Sequence, residues 1–150
     1  MLIGPNGIYT FISRRWERLS KVKTYMHKQI DEMREALKSF SIPLFEDEIA
    51  EDEEEELYRN DYHCFVYETL DIAPNDDMKS IIQTVAIYYY SENRDDLDER
   101  TVEIILSLKD VKGFSLSRTT KQRLQKKDTD QFVDRVIFEY NRRIVVGGTV

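Results

Sequence analysis

Between Ile8 and Phe40 the chain carries one unbroken helical signature. Apolar residues stand at Ile8, Ile12, Trp16, Leu19, Val22, Met26, Ile30, Met33, Leu37 and Phe40, always three or four apart. The mean step lies close to the 3.6 residues of an α-helical turn. Neither Gly nor Pro interrupts the segment, Gly4-Pro5 precede it, and Asn6 stands where a cap belongs. A continuous helix of this length measures about 50 Å at ~1.5 Å per residue. A compact domain of 150 residues has a radius of gyration of about 15 Å. The spacing therefore leaves two outcomes. Either the helix breaks, near Ser20–Thr24, or it overhangs the domain and packs on another subunit.

Charge is distributed as unevenly as the helix is long. Residues 1–40 hold eight basic and four acidic side chains, and residues 113–150 hold the same numbers, so each end is +4. Residues 41–60 hold one base against nine acids, and residues 61–112 five against twelve, giving −8 and −7. The whole chain is −7. Basic ends and an acidic middle favour ordered docking of unlike faces. The acidic total weighs against nucleic acid as the main ligand. The nine acids within Glu46–Glu56 read as a solvated acidic loop or a frayed helix start, extended by mutual repulsion and burying nothing. Their sharper reading is a surface that meets a basic partner or repels DNA.

Beyond this run, the pattern changes to strands. His63–Leu70 is rich in Phe, Val, Tyr and Thr, and the turn-forming stretch Asp71–Asp77 follows it. Ser80–Ser91 makes a second strand whose two faces, Ile81/Gln83/Val85/Ile87/Tyr89 and Ile82/Thr84/Ala86/Tyr88/Tyr90, are both mostly apolar. The acids that follow are helix-start chemistry, with Asp96 and Glu99 at capping-box spacing. That helix runs through Leu97, Thr101, Ile104, Ile105 and Leu108 and stops near Gly113. Phe114–Leu124 and Gln131–Ile144 complete the strands, with a loop at Lys126–Asp130 and a flexible tail from Gly147. The expected fold is a single α+β domain over residues 1–146. It has the order α-β-β-α-β-β, a mostly antiparallel four-stranded sheet, and helices on one face.

No catalytic constellation emerges. His27 and His63 are far apart and outside any metal-ligand spacing, and no glycine loop of the phosphate-binding kind is present. His63 and Cys64 are neighbours on a strand, so their side chains diverge; a core thiol and a surface histidine are expected. Cys64 is alone, which excludes an internal disulfide. No apolar run approaches the ~20 residues of a membrane span, and the first residues lack a secretory leader's pattern. No catalytic, cofactor or metal residues are assigned. Trp16 lies on the helical stripe and reads as core. Three consecutive tyrosines cannot all enter one small core. Tyr89 belongs with the more apolar strand face, and Tyr88 or Tyr90 is expected to be buried by another chain. Arg142 and Arg143 read as solvated surface or subunit contact, ahead of phosphate contact.

The segment from His63 to Ile144 resembles the tail-terminator, or tail-to-head joining, proteins of long-tailed bacteriophages. The phrases that carry the resemblance are "IYYYSENRDDLDE", "LDERTVEIILSL" and "FSLSRTTKQRLQKKDTDQFVDRVIFEYNRR". They reproduce a strand ending in Tyr-Ser before a helix, then a threonine-rich strand and a Phe/Val-rich one. The match covers a little over half the chain and contains no catalytic motif. It implies a non-enzymatic virion protein at the head–tail junction, assembled in the host cytoplasm. Such proteins form a hexameric ring that caps the tail tube, docks the head connector and lets genomic DNA pass without sequence-specific binding. The long first helix and the acidic run depart from the family pattern. The alternative class is a small acidic inhibitor or adaptor, encoded by a phage or mobile element, that binds a basic host protein.

Overall fold

The structure is a computed structural model that describes the backbone of residues 5–147 and the side chains of residues 14–147. The side chains of Asn6, Ile8 and Ile12, and the tail over residues 148–150, lie outside the described residues. The elements are α1 (Pro5–Lys38), β1 (Leu44–Glu46), α2 (Glu51–Arg59), β2 (Cys64–Pro74), β3 (Ser80–Glu92), α3 (Leu97–Leu108), β4 (Phe114–Gln125) and β5 (Phe132–Val145). The class is α+β. The sheet has five strands in the order β1-β2-β3-β5-β4. Every pairing is antiparallel except β1 with β2, where Leu44 aligns with Phe65 and Glu46 with Tyr67. The sheet is thus mixed and five-stranded, where four antiparallel strands were expected. The added strand is three residues long, and its pairing is set by contacts remote in sequence.

Core placement follows the period-two alternation of the central strands. Val85, Ile87 and Tyr89 of β3 and Val136, Phe138 and Tyr140 of β5 form one buried face. α1 and α3 cover that face with Met33, Leu37, Ile104 and Leu108. The two helices also meet directly, where Ser107 Oγ donates to the Ala36 carbonyl (3.2 Å) and the Arg100 guanidinium lies 4.9 Å from the Phe40 ring centroid.

The opposite face carries a second, smaller cluster at one end of the sheet. Leu57 of α2 packs there with Tyr62, Cys64, Val133 and the partly buried Phe45, Ile49 and Tyr90. Helices therefore lie on both faces. The acidic run is ordered as the end of β1 and most of α2, so of the expected solvated loop or frayed helix start the helix is the nearer, and it is formed rather than extended by repulsion. Two effects outweigh the repulsion. Four acids, Glu51 to Glu54, occupy the first turn, where the helix dipole favours negative charge. Leu57 and Ile49 anchor the segment to the sheet.

α3 begins after Asp96, but the Asp96 side chain makes no capping bond. Its carboxylate instead pairs with Arg94 at 2.5 Å, which lowers its pKa. Asp98 and Glu99 supply the negative first turn. β4 is an edge strand and is exposed from Ser115 to Arg123. Cross-strand pairs, Arg118–Glu139 (2.9 Å) and Arg123–Asp134 (3.1 Å), line it.

The turn from α3 into β4 requires glycine. Gly113 has φ +82°, and a Cβ there would clash with Gln29 Nε2 and sit 2.8 Å from the Arg143 carbonyl. Gly113→Ala is expected to cost about 2 kcal/mol or more, from backbone strain and the clash together. A Cβ at Gly147 meets nothing nearer than the Lys79 Cα at 3.6 Å, an ordinary van der Waals contact. Gly147→Ala should stay within ~0.5 kcal/mol of the parent. Urea unfolding midpoints of the two variants measure the contrast.

Candidate subunit interface

α1 is a single helix of 34 residues, about 51 Å long at ~1.5 Å per residue. The helix does not break near Ser20–Thr24, and its first described side chains overhang the sheet. Every side chain from Arg14 to Lys21 is exposed, and full burial begins only at Gln29. Trp16, expected in the core, is 64% exposed, and Leu19 is 43% exposed. The apolar stripe simply outruns the sheet beneath it. With Arg15, Arg18, Val22 and Val146, these two residues line an open groove of about 600 Å³.

Arg142 and Arg143, read together as surface or subunit contact, have opposite fates. Arg142 is 3% exposed and is an internal tie. Its Nε donates to Gln29 Oε1 (2.8 Å), one terminal nitrogen to Gln83 Oε1 (2.9 Å), and the other to the Met26 carbonyl (2.6 Å). Burial lowers its pKa, but the guanidinium keeps its charge, held by neutral acceptors. Gln29 extends the node by donating to the carbonyls of Lys112 (3.2 Å) and Arg143 (2.8 Å). Arg143, one residue on, faces the other way. It is half exposed and pairs with Asp77 at 2.7 Å. The alternation of β5 held the clue, because Arg142 has the parity of Phe138, Tyr140 and Ile144.

Tyr88 and Tyr90 lie on the sheet face away from α1 and α3, while Tyr89 is fully buried in the main core. His63, on that same side, shares a 2.6 Å hydrogen bond with the Tyr89 hydroxyl. Its pKa is lowered by burial and by the nearby Arg100 and Arg94. The Tyr88 hydroxyl donates to Glu68 at 2.6 Å, and its pKa is pushed up to about 12, by burial first and then by that carboxylate. Tyr90 packs edge-on against Tyr62 in the α2 cluster, so its own chain supplies part of the cover expected from a neighbour. Arg135 sits within 5.8 Å of the Tyr88 ring centroid and 5.9 Å of the Tyr90 centroid. Its guanidinium also bonds Gln122 of β4. Sequence reasoning missed Arg135 and Glu68, which are remote in sequence from the tyrosines they hold.

A buried ion pair fixes α2 and its acids at the far end of this face. Lys126 Nζ and Glu92 Oε2 stand 2.7 Å apart, with side chains 4% and 5% exposed. Glu92 also accepts from the Tyr62 N–H (2.9 Å), and Lys126 donates to the Tyr58 carbonyl (3.4 Å). The loop after β4 is thereby fastened to the end of α2. Cys64 lies beside it, its thiol pushed up to about 12 by burial and then by Glu54, so it is not a reactive nucleophile. Among the described residues, no group of three or more His, Cys, Asp and Glu side chains is placed to hold a metal ion. No described helix is long and apolar enough to cross a membrane. Among known proteins, no family model and no curated protein matches the chain.

Two outcomes are expected. Arg142→Ala strands two buried amide oxygens and the half-buried Met26 carbonyl and should cost ~3 kcal/mol, whereas Arg143→Ala should leave the unfolding midpoint near that of the parent. Chemical denaturation of both variants checks this. Glu92→Gln should cost on the order of 3 kcal/mol at neutral pH, because it leaves Lys126 buried without its partner. Burial alone would raise the Glu92 pKa, but Lys126 and the Tyr62 N–H outweigh it, so the net shift is downward. The pair's stabilisation is therefore complete above the ordinary carboxylate value of about 4.3. It is lost as pH falls through the lower folded value. The gap between parent and Glu92→Gln should narrow steadily below pH ~4 in parallel urea titrations.

Proposed function

We propose that the chain is a structural, non-enzymatic subunit of a ring at the head–tail junction of a long-tailed bacteriophage, capping the tail tube and docking the head connector. The observation that carries the reading is the α1 overhang: a stripe with Trp16 64% and Leu19 43% exposed, on a helix longer than its own domain needs. An isolated domain gains nothing from such a stripe, whereas a subunit buries it against a neighbour. The resemblance of residues 63–144 to tail-terminator proteins supplies the biological setting. The half-buried tyrosine face, with Tyr88, Tyr90 and Arg135, offers a second contact of the aromatic and arginine kind that interfaces favour. The net charge of −7 suits passage of DNA without binding.

A second reading has one observation behind it. The acids of α2 are ordered on a helix, so a fixed array of negative charge is available to a basic host protein. That reading predicts a monomer or dimer that forms a tight complex with one host partner. Electron-microscopic reconstruction of tails completed with the purified protein separates the two. The expected result is a closed ring of identical copies, most simply six, at the head-proximal end of the tube. A single copy in the assembled particle, or no association with tails at all, overturns the ring.

A further inference from the structure

The basic overhang of α1 and the acidic β1–α2 region lie at opposite ends of the same sheet. α1 reaches the sheet where Arg142 joins Gln29 and Gln83, near the end at which Ser80 pairs with Val145. The α2 cluster sits where Cys64 pairs with Tyr90 and Glu92 with Val133. From Gln83 to Glu92 is about 30 Å at ~3.3 Å per residue of strand, and the overhang points away from the acids. One molecule cannot bring the two surfaces together.

The two surfaces match in charge and in relief. Residues 14–28 hold six basic side chains and one acid, a net of +5. Residues 51–59 hold six acids and one arginine, a net of −5. The apolar part of the overhang is Trp16, Leu19 and Val22. Beside α2 runs a groove of about 490 Å³ whose lining includes the apolar Leu44, Phe45 and Leu57 and the acidic Glu53, Glu56 and Asp61. An exposed tryptophan flanked by arginines, facing an apolar groove rimmed by carboxylates, has the make-up of a hot-spot anchor and its pocket. Opposite potentials at the two ends steer the encounter and exclude the parallel pairing of like ends.

We infer that copies of this chain join head to tail, the α1 overhang of one copy seated with Trp16 in the β1–α2 groove of the next. The contact is heterologous, so it closes into a ring when the rotation per copy permits. Closure rests on the ring reading above; the contact itself does not. The acids of α2 then neutralise the arginines of the neighbouring copy and need no host protein.

Reciprocal charge reversal tests the contact. One variant carries Arg15→Glu and Arg18→Glu, the other Glu53→Lys and Glu56→Lys. Sedimentation at high protein concentration and low salt is the readout, with thermal unfolding to confirm that each variant is folded. Each variant alone sets like charges against each other where Arg15 and Arg18 would meet Glu53 and Glu56, cuts the net charge of the altered surface to +1 or −1, and should associate at least tenfold more weakly than the parent. Their mixture restores every junction, acidic overhang to basic groove and basic overhang to acidic groove, and should recover association as alternating copies. Trp16→Ala, at an exposed position, should weaken association tenfold or more without lowering the unfolding temperature. A Trp16→Cys, Glu56→Cys chain should give a ladder of cross-linked copies with a short bis-maleimide, because the native Cys64 is buried.

Oligomers that ignore the reversals overturn the contact and leave the ring reading standing. Rescue by mixing, with no binding to tails, upholds the contact and removes the phage setting. A parent that stays monomeric and yields no cross-linked ladder overturns the inference. So does a Trp16→Ala chain that loses stability and not association, since the stripe would then be covered by its own chain.

Discussion

Arg142 is a guanidinium buried with no ion pair among the described residues, and the placement of α1 depends on it. A buried cation is costly unless its hydrogen bonds are made, and here three neutral acceptors make them. The acceptors come from α1 and β3, and the donor from β5. Gln29 then reaches the carbonyls of Lys112 and Arg143, and Gly113 is bare of a side chain where that amide must pass. Apolar burial alone would let α1 slide along the sheet by a turn, exchanging one stripe residue for the next. The polar node admits one register. That register leaves Arg14 to Lys21 without sheet beneath them, so the overhang follows from where Arg142 is anchored.

Much of this architecture was legible in the chain. The 3.6-residue stripe gave α1, and alternation gave β3 and β5 to within a residue or two of their observed bounds. Where reading failed, the cause was non-local. β1 has three residues and pairs in parallel with β2, which no local pattern can announce. The run Glu46–Glu56 was read by its repulsion, because the two apolar residues that hold it down, Ile49 and Leu57, have partners far away in sequence. Arg142 was read by its charge when its strand parity said core. The tyrosine faces were legible in direction, with Tyr89 inward and Tyr88 and Tyr90 outward. The cover that α2 gives Tyr90 was not.

A sheet apolar on both faces needs cover on both, and this chain supplies it unequally. α1 and α3 close the main face along its length, whereas α2 closes the other face only at the Cys64–Tyr90 end. The middle of that second face is closed by polar side chains laid over aromatic rings. Arg135 lies over Tyr88 and Tyr90, and Glu68 takes the Tyr88 hydroxyl. Rings capped in this way are wetted at their tips and apolar beneath, which lets the face stand in water.

The edges of the sheet bear on how copies can meet. An open edge strand invites a neighbour to add a strand, and natural sheets block this with charge or brevity. β4 presents Arg118, Lys121 and Arg123 along an exposed edge, tied across to Glu139, Asp98 and Asp134. β1 at the other edge has only three residues. Strand addition is therefore poor at both edges, which leaves sheet faces and helices as the surfaces open to a neighbour. A helical contact transmits rotation through side chains and not through a rigid ladder. In the proposed head-to-tail contact, the angle between successive copies is set by how Trp16 and its arginines settle against α2, so a small change in that packing changes the number of copies a ring would need to close.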